Sequence, residues 1–225
     1  PWSVAGLVRA TAETVSLVNG VAAFGGTPSD GSVIRAIRDL KARGLKVTLY
    51  PFVMMDVPNG NRRPDPWTGA PSQPVYPWRG RITCDPAPGR PGTADSTGEA
   101  AAQVEALFGA CTAAQFVADG DGVVYTGPAE WGLRRLVLHT AALGRAAGGV
   151  DSLVIGSELV GLTRVRGAGP VNPAVAALKA LAAEARAIVG PATRLTYGAD
   201  WTEYGAESRD GGSDVRFPLD PLWSD

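Results

Sequence analysis

Apolar residues recur with helical spacing in four segments of the chain, and three of these segments lead directly into a short apolar strand. The strands are expected at residues 46–53, 150–156 and 194–198. Strands that alternate with helices are typical of a parallel sheet covered by helices. The pattern therefore predicts an α/β fold.

Capping residues predict where these helices begin. Ser29 or Asp30 can cap the first helix. Residues 96–99 read Ser-Thr-Gly-Glu, a capping-box pattern that predicts the start of the second helix. Pro128 is expected in the first turn of the third helix, and the Asn-Pro pair at residues 172–173 opens the fourth.

The segments between these elements carry turn signals. Asn19-Gly20 lies between two short apolar runs and predicts a β-hairpin. Half of the 18 prolines fall between Pro58 and Gly98, where neither a helix nor a strand pattern persists. Loops of this length are usually either functional or disordered, and we expect a long, ordered loop at about residues 56–96.

Composition and charge exclude several functions. A net charge of -1 gives no footprint for nucleic acid, and no apolar run approaches the roughly 20 residues of a transmembrane helix. Cys84 and Cys111 could pair, but two unconnected thiols are favoured. Because the only histidine is His139, no metal site is expected, and the sequence indicates no cofactor.

Candidate functional residues stand at the carboxyl ends of the predicted strands, where the loops of parallel α/β folds hold ligands. Asp56 follows the first strand and Glu158 follows the second. Asp200, Trp201 and Glu203 follow the third. We expect these side chains on the same face of the sheet.

Glu158 is the strongest candidate for chemistry because its strand ends directly before it. A partly desolvated carboxyl group there could have a raised pKa and donate a proton to a glycosidic oxygen. Cleavage needs a second carboxylate, about 5–5.5 Å away for retention or about 6.5–9.5 Å for inversion, and Asp200 or Glu203 could supply it. Alternatively, Glu158 binds backbone amides, and the other two acids orient it or pair with arginines.

Three tryptophans are expected in loops on or near this face: Trp67, Trp78 and Trp201. An exposed indole offers a flat apolar surface for a sugar ring and an N–H that can donate a hydrogen bond. The alternative is that these rings hold the long loop on the core. Trp201 is the best candidate for binding because it neighbours the candidate acids.

Six strings of residues resemble the gene-transfer-agent TIM-barrel-like domain of phage-tail and gene-transfer-agent hub proteins. They are Trp2–Leu7, Gly25–Asp30, Ile37–Val47, Tyr76–Thr83, Ile155–Leu159 and Leu219–Trp223. The resemblance implies a partial, glycoside-hydrolase-like (β/α)8 barrel with a long proline-rich insertion. Residues 1–225 would be a fragment of this one domain, and the remaining strands would lie outside the chain, since a closed barrel needs eight.

The resemblance also implies a place in a particle. Such domains belong to large hub proteins at the tail or baseplate of virion-like particles, which are assembled in the bacterial cytoplasm and meet the bacterial envelope. The implied partners are other tail and baseplate proteins, and by analogy the hub is a homotrimer. An envelope saccharide is the implied ligand.

At the candidate site the resemblance is to retaining glycosidases, in which an Asn-Glu pair ends the fourth strand and the Glu is the acid/base. Glu158 matches that Glu, whereas Ser157 stands where those enzymes have Asn, which helps to hold the 2-hydroxyl of the sugar. The nucleophile would come from a later strand. The shorter serine favours a non-catalytic hub module that is structural or binds saccharide. The alternative is an active hydrolase of envelope glycan or peptidoglycan with Glu158 as acid/base.

Overall fold

A computed structural model describes residues 2–224. The helices are α1 Asp30–Ala42, α2 Gly98–Phe108, α3 Leu133–Ala146, α4 Val160–Thr163, α5 Pro173–Val189 and α6 Asp220–Trp223. The strands are β1 Ser3–Val4, β2 Leu7–Val8, β3 Leu17–Val18, β4 Val21–Ala22, β5 Thr48–Leu49, β6 Phe116–Asp119, β7 Gly122–Tyr125, β8 Ser152–Ser157, β9 Arg194–Gly198, β10 Glu207–Arg209 and β11 Asp214–Arg216. The mixture of helices and strands confirms the predicted α/β class.

The three predicted strands form one sheet in the order β5-β8-β9. The central strand, β8, is buried at five of its six positions, as expected for a strand covered on both faces. It pairs in parallel with β5. Strand β5 has only two residues, because only Thr48 and Leu49 pair with residues of β8. Within residues 2–224 this sheet does not close, which agrees with a partial barrel.

The chain forms two compact units. The first comprises the described residues up to Phe52, Phe108–Gly156 and Leu181–Tyr197. The second comprises Val53–Leu107, Ser157–Ala180 and the described residues from Gly198 onward. The assignment of residues 1–225 to a single domain stays a prediction. No helix in the described part of the chain is both long and apolar enough to span a bilayer.

In the first unit, α1 packs against α3 through a buried polar pair. Ser29 caps α1, because its side chain accepts a hydrogen bond from the backbone N–H of Ser32, and Asp30 is the first helical residue. The Asp30 Oδ1 atom lies 2.8 Å from Nε2 of His139 on α3, and its Oδ2 accepts the backbone N–H of Ala5 at 2.9 Å. These bonds join β1, α1 and α3.

Two predicted helix starts differ from the structure. The third helix begins at Leu133, after Gly132, so the placement of Pro128 in its first turn is wrong. Residues 128–131 instead form a connection in which Glu130 accepts the backbone N–H groups of residues 110 and 111. At α2, Ser96 has a left-handed φ of 64°, and Thr97 accepts the N–H of Glu99 in place of the expected capping box.

Besides the short pair β1–β2, two antiparallel hairpins accompany the one that was predicted. The predicted hairpin at Asn19-Gly20 is confirmed as β3–β4. In the first unit, β6–β7 also pairs antiparallel and packs on α3, where the guanidinium of Arg135 lies 3.9 Å from the ring centroid of Tyr125 and 3.7 Å from that of Trp131. The other hairpin, β10–β11, belongs to the second unit.

The predicted long loop is confirmed and lies in the second unit. Between β5 and α2 the only regular structure among the described residues is one 3₁₀ turn, Arg79–Arg81. Cys84, at the end of this loop, is buried, as is Cys111 in the first unit, and both are free thiols. Burial raises the pKa of each thiol.

Candidate functional site

The backbone at the end of β8 holds Glu158 in an uncommon conformation. Glu158 has a φ of 52°, in the left-handed region that side chains other than glycine rarely adopt. Its N–H donates to the carbonyl of Gly198, the last residue of β9, at 2.9 Å. Backbone strain of this kind occurs preferentially at functional sites, so the geometry favours a role for Glu158 beyond packing.

The Glu158 carboxylate is anchored by the proline-rich loop. Its Oε2 atom accepts the indole N–H of Trp78 at 3.0 Å and an N–H of the Arg79 guanidinium at 2.5 Å. Arg79 also donates from Nε to the hydroxyl of Ser157 at 3.3 Å. The loop therefore binds both residues at the end of the strand. Buried Arg79 binds Ser157 and Glu158, and Trp78 binds Glu158.

This arrangement gives the two carboxylate oxygens of Glu158 different surroundings. Oε2 accepts two hydrogen bonds from the proline-rich loop. No donor within residues 2–224 reaches Oε1, and 34% of the side chain is exposed. Oε1 is therefore a fixed hydrogen-bond acceptor that faces solvent.

Trp78 places an apolar surface beside this acceptor. The residue is 45% exposed, while its N–H is bound to Glu158. The ring lies directly on Gly80, where a Cβ atom would come within 2.4 Å of the indole. The site thus combines a carboxylate oxygen with an aromatic face, which are the groups that contact the hydroxyls and the C–H face of a sugar.

Helix α4 supports the loop from beneath. A Cβ atom on Gly161 would lie 2.5 Å from the carbonyl oxygen of Gly80 and 2.7 Å from that of Ile82. Only glycine allows this approach of two backbone segments. The 3₁₀ turn that carries Arg79 is therefore seated directly on α4, two residues after Glu158.

The two acids after β9 serve the local turn Trp201–Glu203. Asp200 caps it by accepting the N–H and hydroxyl of Thr202 at 2.9 and 2.6 Å, and these bonds lower the pKa of Asp200. Glu203 is buried and accepts the hydroxyl of Thr163 and the N–H of Asp200, each at 2.8 Å.

The remaining candidates fall into different surroundings. Trp201 is 82% exposed at the start of this turn. Trp67 donates its indole N–H to the carbonyl of Arg81 at 2.8 Å and has the Arg81 guanidinium over its ring, so it holds the loop together. Asp56 lies in the loop that follows β5. The structure thus brings together Ser157, Glu158 and Trp78.

The sequence reasoning considered Arg79 but missed its partners. Arginines were expected as partners of Asp200 or Glu203, whereas Arg79 binds Glu158 and Ser157. The available signal was the string Trp78-Arg79-Gly80-Arg81, in which a charged group interrupts a loop rich in proline and aromatic residues. Nothing in the spacing indicated that this arginine meets a residue 79 positions later.

Comparison with known proteins agrees with this architecture. No curated protein matches the chain significantly. Residues 131–225 match the family model described as the GTA TIM-barrel-like domain, and the matched part includes β8, Glu158 and the turn at Trp201. The description indicates a structural domain of gene-transfer-agent particles. Over residues 131–225 the chain is therefore similar to the gene-transfer-agent TIM-barrel-like domain.

Proposed function

We propose that this chain is part of a hub domain, at the tail or baseplate of a gene-transfer-agent or phage-like particle, that binds an envelope saccharide without cleaving it. The family match supports membership in such a particle. The hub would assemble in the bacterial cytoplasm with other tail and baseplate proteins, as a trimer, and would meet the saccharide at the cell surface.

One observation carries the binding role: the Glu158 carboxylate is anchored through Oε2 by Arg79 and Trp78. A glycosidase acid/base has to deliver a proton to the glycosidic oxygen. A carboxylate paired with a guanidinium is suited to accept hydrogen bonds, and its exposed Oε1 can accept one from a sugar hydroxyl. The exposed rings of Trp78 and Trp201 supply apolar surface for the sugar.

A second function, retaining glycoside hydrolysis, is favoured by one feature. Glu158 directly follows a buried parallel strand with a strained backbone, which is where α/β barrels place catalytic groups. Asp200 binds Thr202 of its own turn and buried Glu203 binds Thr163 of α4, so the nucleophile of such an enzyme would come from another segment. Ser157, which replaces the expected Asn, is itself bound by Arg79.

Sedimentation with purified envelope glycan and peptidoglycan tests this proposal. The wild-type protein is expected to sediment with one of these polymers. Trp201→Ala should weaken binding about tenfold, which corresponds to about 1.4 kcal/mol. The matched control is Val21→Ala, which removes exposed apolar surface from the β3–β4 hairpin and should bind like wild type.

The same samples are assayed for reducing sugar. We expect none to be released by the wild type or by Glu158→Gln. Failure of the wild type to bind any envelope polymer would contradict the binding role. Release of reducing sugar by the wild type, abolished in Glu158→Gln, would establish the hydrolase instead.

A further inference from the structure

We infer that Arg79 is the positioning residue of the Glu158 site and that the site selects saccharides with neutral hydroxyl groups over acidic saccharides. This inference rests on the proposed saccharide-binding function and deepens it. It concerns a residue outside the expected site and the chemical class of the ligand.

Arg79 acts through its neighbours because it is itself covered. Its side chain is 8% exposed, and its guanidinium is already engaged by the Glu158 carboxylate and the Ser157 hydroxyl. A ligand in the solvent-facing part of the site would therefore meet Glu158 and Trp78 first. The function left to Arg79 is to fix the direction of the carboxylate.

A fixed carboxylate matters because glutamate is a flexible side chain. A free side chain of this length loses rotamer entropy when a ligand orders it. In this site Arg79 and Trp78 hold Oε2 in advance, so Oε1 keeps one orientation beside the indole face. Preorganisation of this kind increases affinity without a new contact to the ligand.

The charge of the site defines the ligand class. Oε1 is an acceptor and requires a donor, such as a sugar hydroxyl or an amide N–H. The positive charge that could attract an acidic sugar belongs to Arg79, which is buried and paired with Glu158. A ligand carboxylate would thus approach a carboxylate of like charge, so neutral and N-acetylated sugars should bind at least tenfold more tightly than uronates.

A glycan array carrying neutral hexose, N-acetylhexosamine and hexuronate oligosaccharides tests the ligand class. The expected result is binding to the neutral or N-acetylated oligosaccharides, with weak or no binding to the hexuronates. In Glu158→Gln the discrimination against hexuronates should disappear. A wild-type preference for hexuronates would overturn the inference while leaving saccharide binding intact, whereas an array without any signal would overturn the proposed function itself.

The role of Arg79 is tested with Arg79→Gln and Arg79→Lys. Arg164→Gln is the matched control, because Arg164 donates to the carbonyl of Thr202 and does not contact Glu158. Against the best array oligosaccharide, Arg79→Gln should lose at least tenfold in affinity. Arg79→Lys should recover part of it, since an ammonium group can reach Glu158 but cannot also bind Ser157 in the same geometry.

A spectroscopic readout separates positioning from general stability. In protein labelled with fluorotryptophan, the ¹⁹F resonance assigned through Trp78→Phe should shift in Arg79→Gln and in Glu158→Gln but not in Arg164→Gln. The resonances of the other five tryptophans report whether each variant is folded. If Arg79→Gln does not fold, the affinity and the Trp78 resonance of Arg79→Lys decide the question. An unchanged Trp78 resonance together with wild-type affinity would overturn the assignment.

Discussion

Asp30 shows how a single buried carboxylate can join several elements of the first unit. It is the first residue of α1, where a negative charge is favourable, and it binds both His139 on α3 and the backbone of Ala5. The bond to His139 is buried and the bond to Ala5 is partly buried, so the loss of the carboxylate leaves both partner groups without this acceptor.

Asp30→Ala is expected to lower the free energy of unfolding by about 2–3 kcal/mol, because the imidazole and the Ala5 N–H lose their acceptor in a buried place. Urea denaturation measures the change. Asp39→Ala, in the same helix, removes only an exposed ion pair with Arg43 and should cost less than about 0.5 kcal/mol. Equal destabilisation by the two variants would show that the buried contacts contribute nothing specific.

For single residues, the sequence could predict the position of Glu158 but not its hydrogen-bond partners. A strand of apolar residues that ends directly before a carboxylate predicts the position of that carboxylate from local pattern alone. Its pairing with Arg79 depends on the path of a long loop without helical or strand periodicity. The same holds for Asp30 and His139, which are 109 residues apart.

At the scale of elements, the close contact between α4 and the 3₁₀ turn Arg79–Arg81 holds the proline-rich loop beside the end of β8. The contact is backbone against backbone, so neither side can yield by rotating a side chain. A methyl group on Gly161 would push the turn outward together with Trp78 and Arg79.

Gly161→Ala should therefore destabilise the protein by about 1–3 kcal/mol and abolish saccharide binding. Calorimetric titration and thermal unfolding measure the two effects. Gly169→Ala is the control, because an added Cβ atom there meets no atom within 4 Å. Wild-type saccharide affinity in Gly161→Ala would contradict the idea that α4 seats the loop.

Charge pairs attach the β10–β11 hairpin to the rest of the second unit. Buried Arg166 binds Glu207 and Asp214 of the hairpin, and Arg209 of the hairpin binds Asp95. Burial alone would raise the pKa of Asp95, but hydrogen bonds from Arg209 and from the backbone N–H of Arg166 lower it overall. The hairpin is thus held to the rest of the second unit by ion pairs that require ionised carboxylates.

A lowered folded-state pKa means that the unfolded chain takes up the proton first as the pH falls. The stabilisation from Asp95 is therefore present above its unfolded pKa of about 3.9 and is lost as the pH drops through the lower folded value. Asp95→Asn should cost about 3 kcal/mol at pH 7 and should flatten the fall in stability between about pH 5 and pH 3.

Urea denaturation across this pH range checks the prediction, and Asp119→Asn, an exposed residue, is the control. The control should keep the wild-type pH profile and change stability by less than about 0.5 kcal/mol. An Asp95→Asn profile as steep as that of the wild type would show that the acid sensitivity arises elsewhere.

Periodicity predicted the elements that are long or fully buried. Helix α5 and strand β9 were expected at residues 172–190 and 194–198 and are found there, because each has a clear period and a clear stop. Hairpin β6–β7 was not predicted, although Asp119-Gly120 between two apolar runs is a hairpin signal. Hairpin β10–β11 has little apolar alternation, since its attachment is ionic.

The whole molecule is nearly neutral, with 21 basic and 22 acidic residues. The charged groups at the site, Glu158 and Arg79, form an ion pair in which Glu158 is the more exposed member. Attraction by net charge therefore adds little to the capture of a ligand, and screening by salt should remove little.

Saccharide affinity is accordingly expected to change less than about threefold between 50 and 500 mM NaCl, because a neutral ligand carries no charge whose attraction salt could screen. Calorimetric titration at several salt concentrations provides the measurement. Affinity that falls steeply with salt would indicate recognition of a charged polymer and would contradict the assigned ligand class.

The proposal that the protein binds a saccharide without cleaving it is tested by measuring whether a bound oligosaccharide stays intact. The protein is incubated for a long period with an oligosaccharide that it binds, and the oligosaccharide is then recovered and weighed by mass spectrometry. We expect the oligosaccharide to be recovered intact after incubation with the wild type and with Glu158→Gln alike. Shortened oligosaccharides produced by the wild type and absent with Glu158→Gln would contradict it.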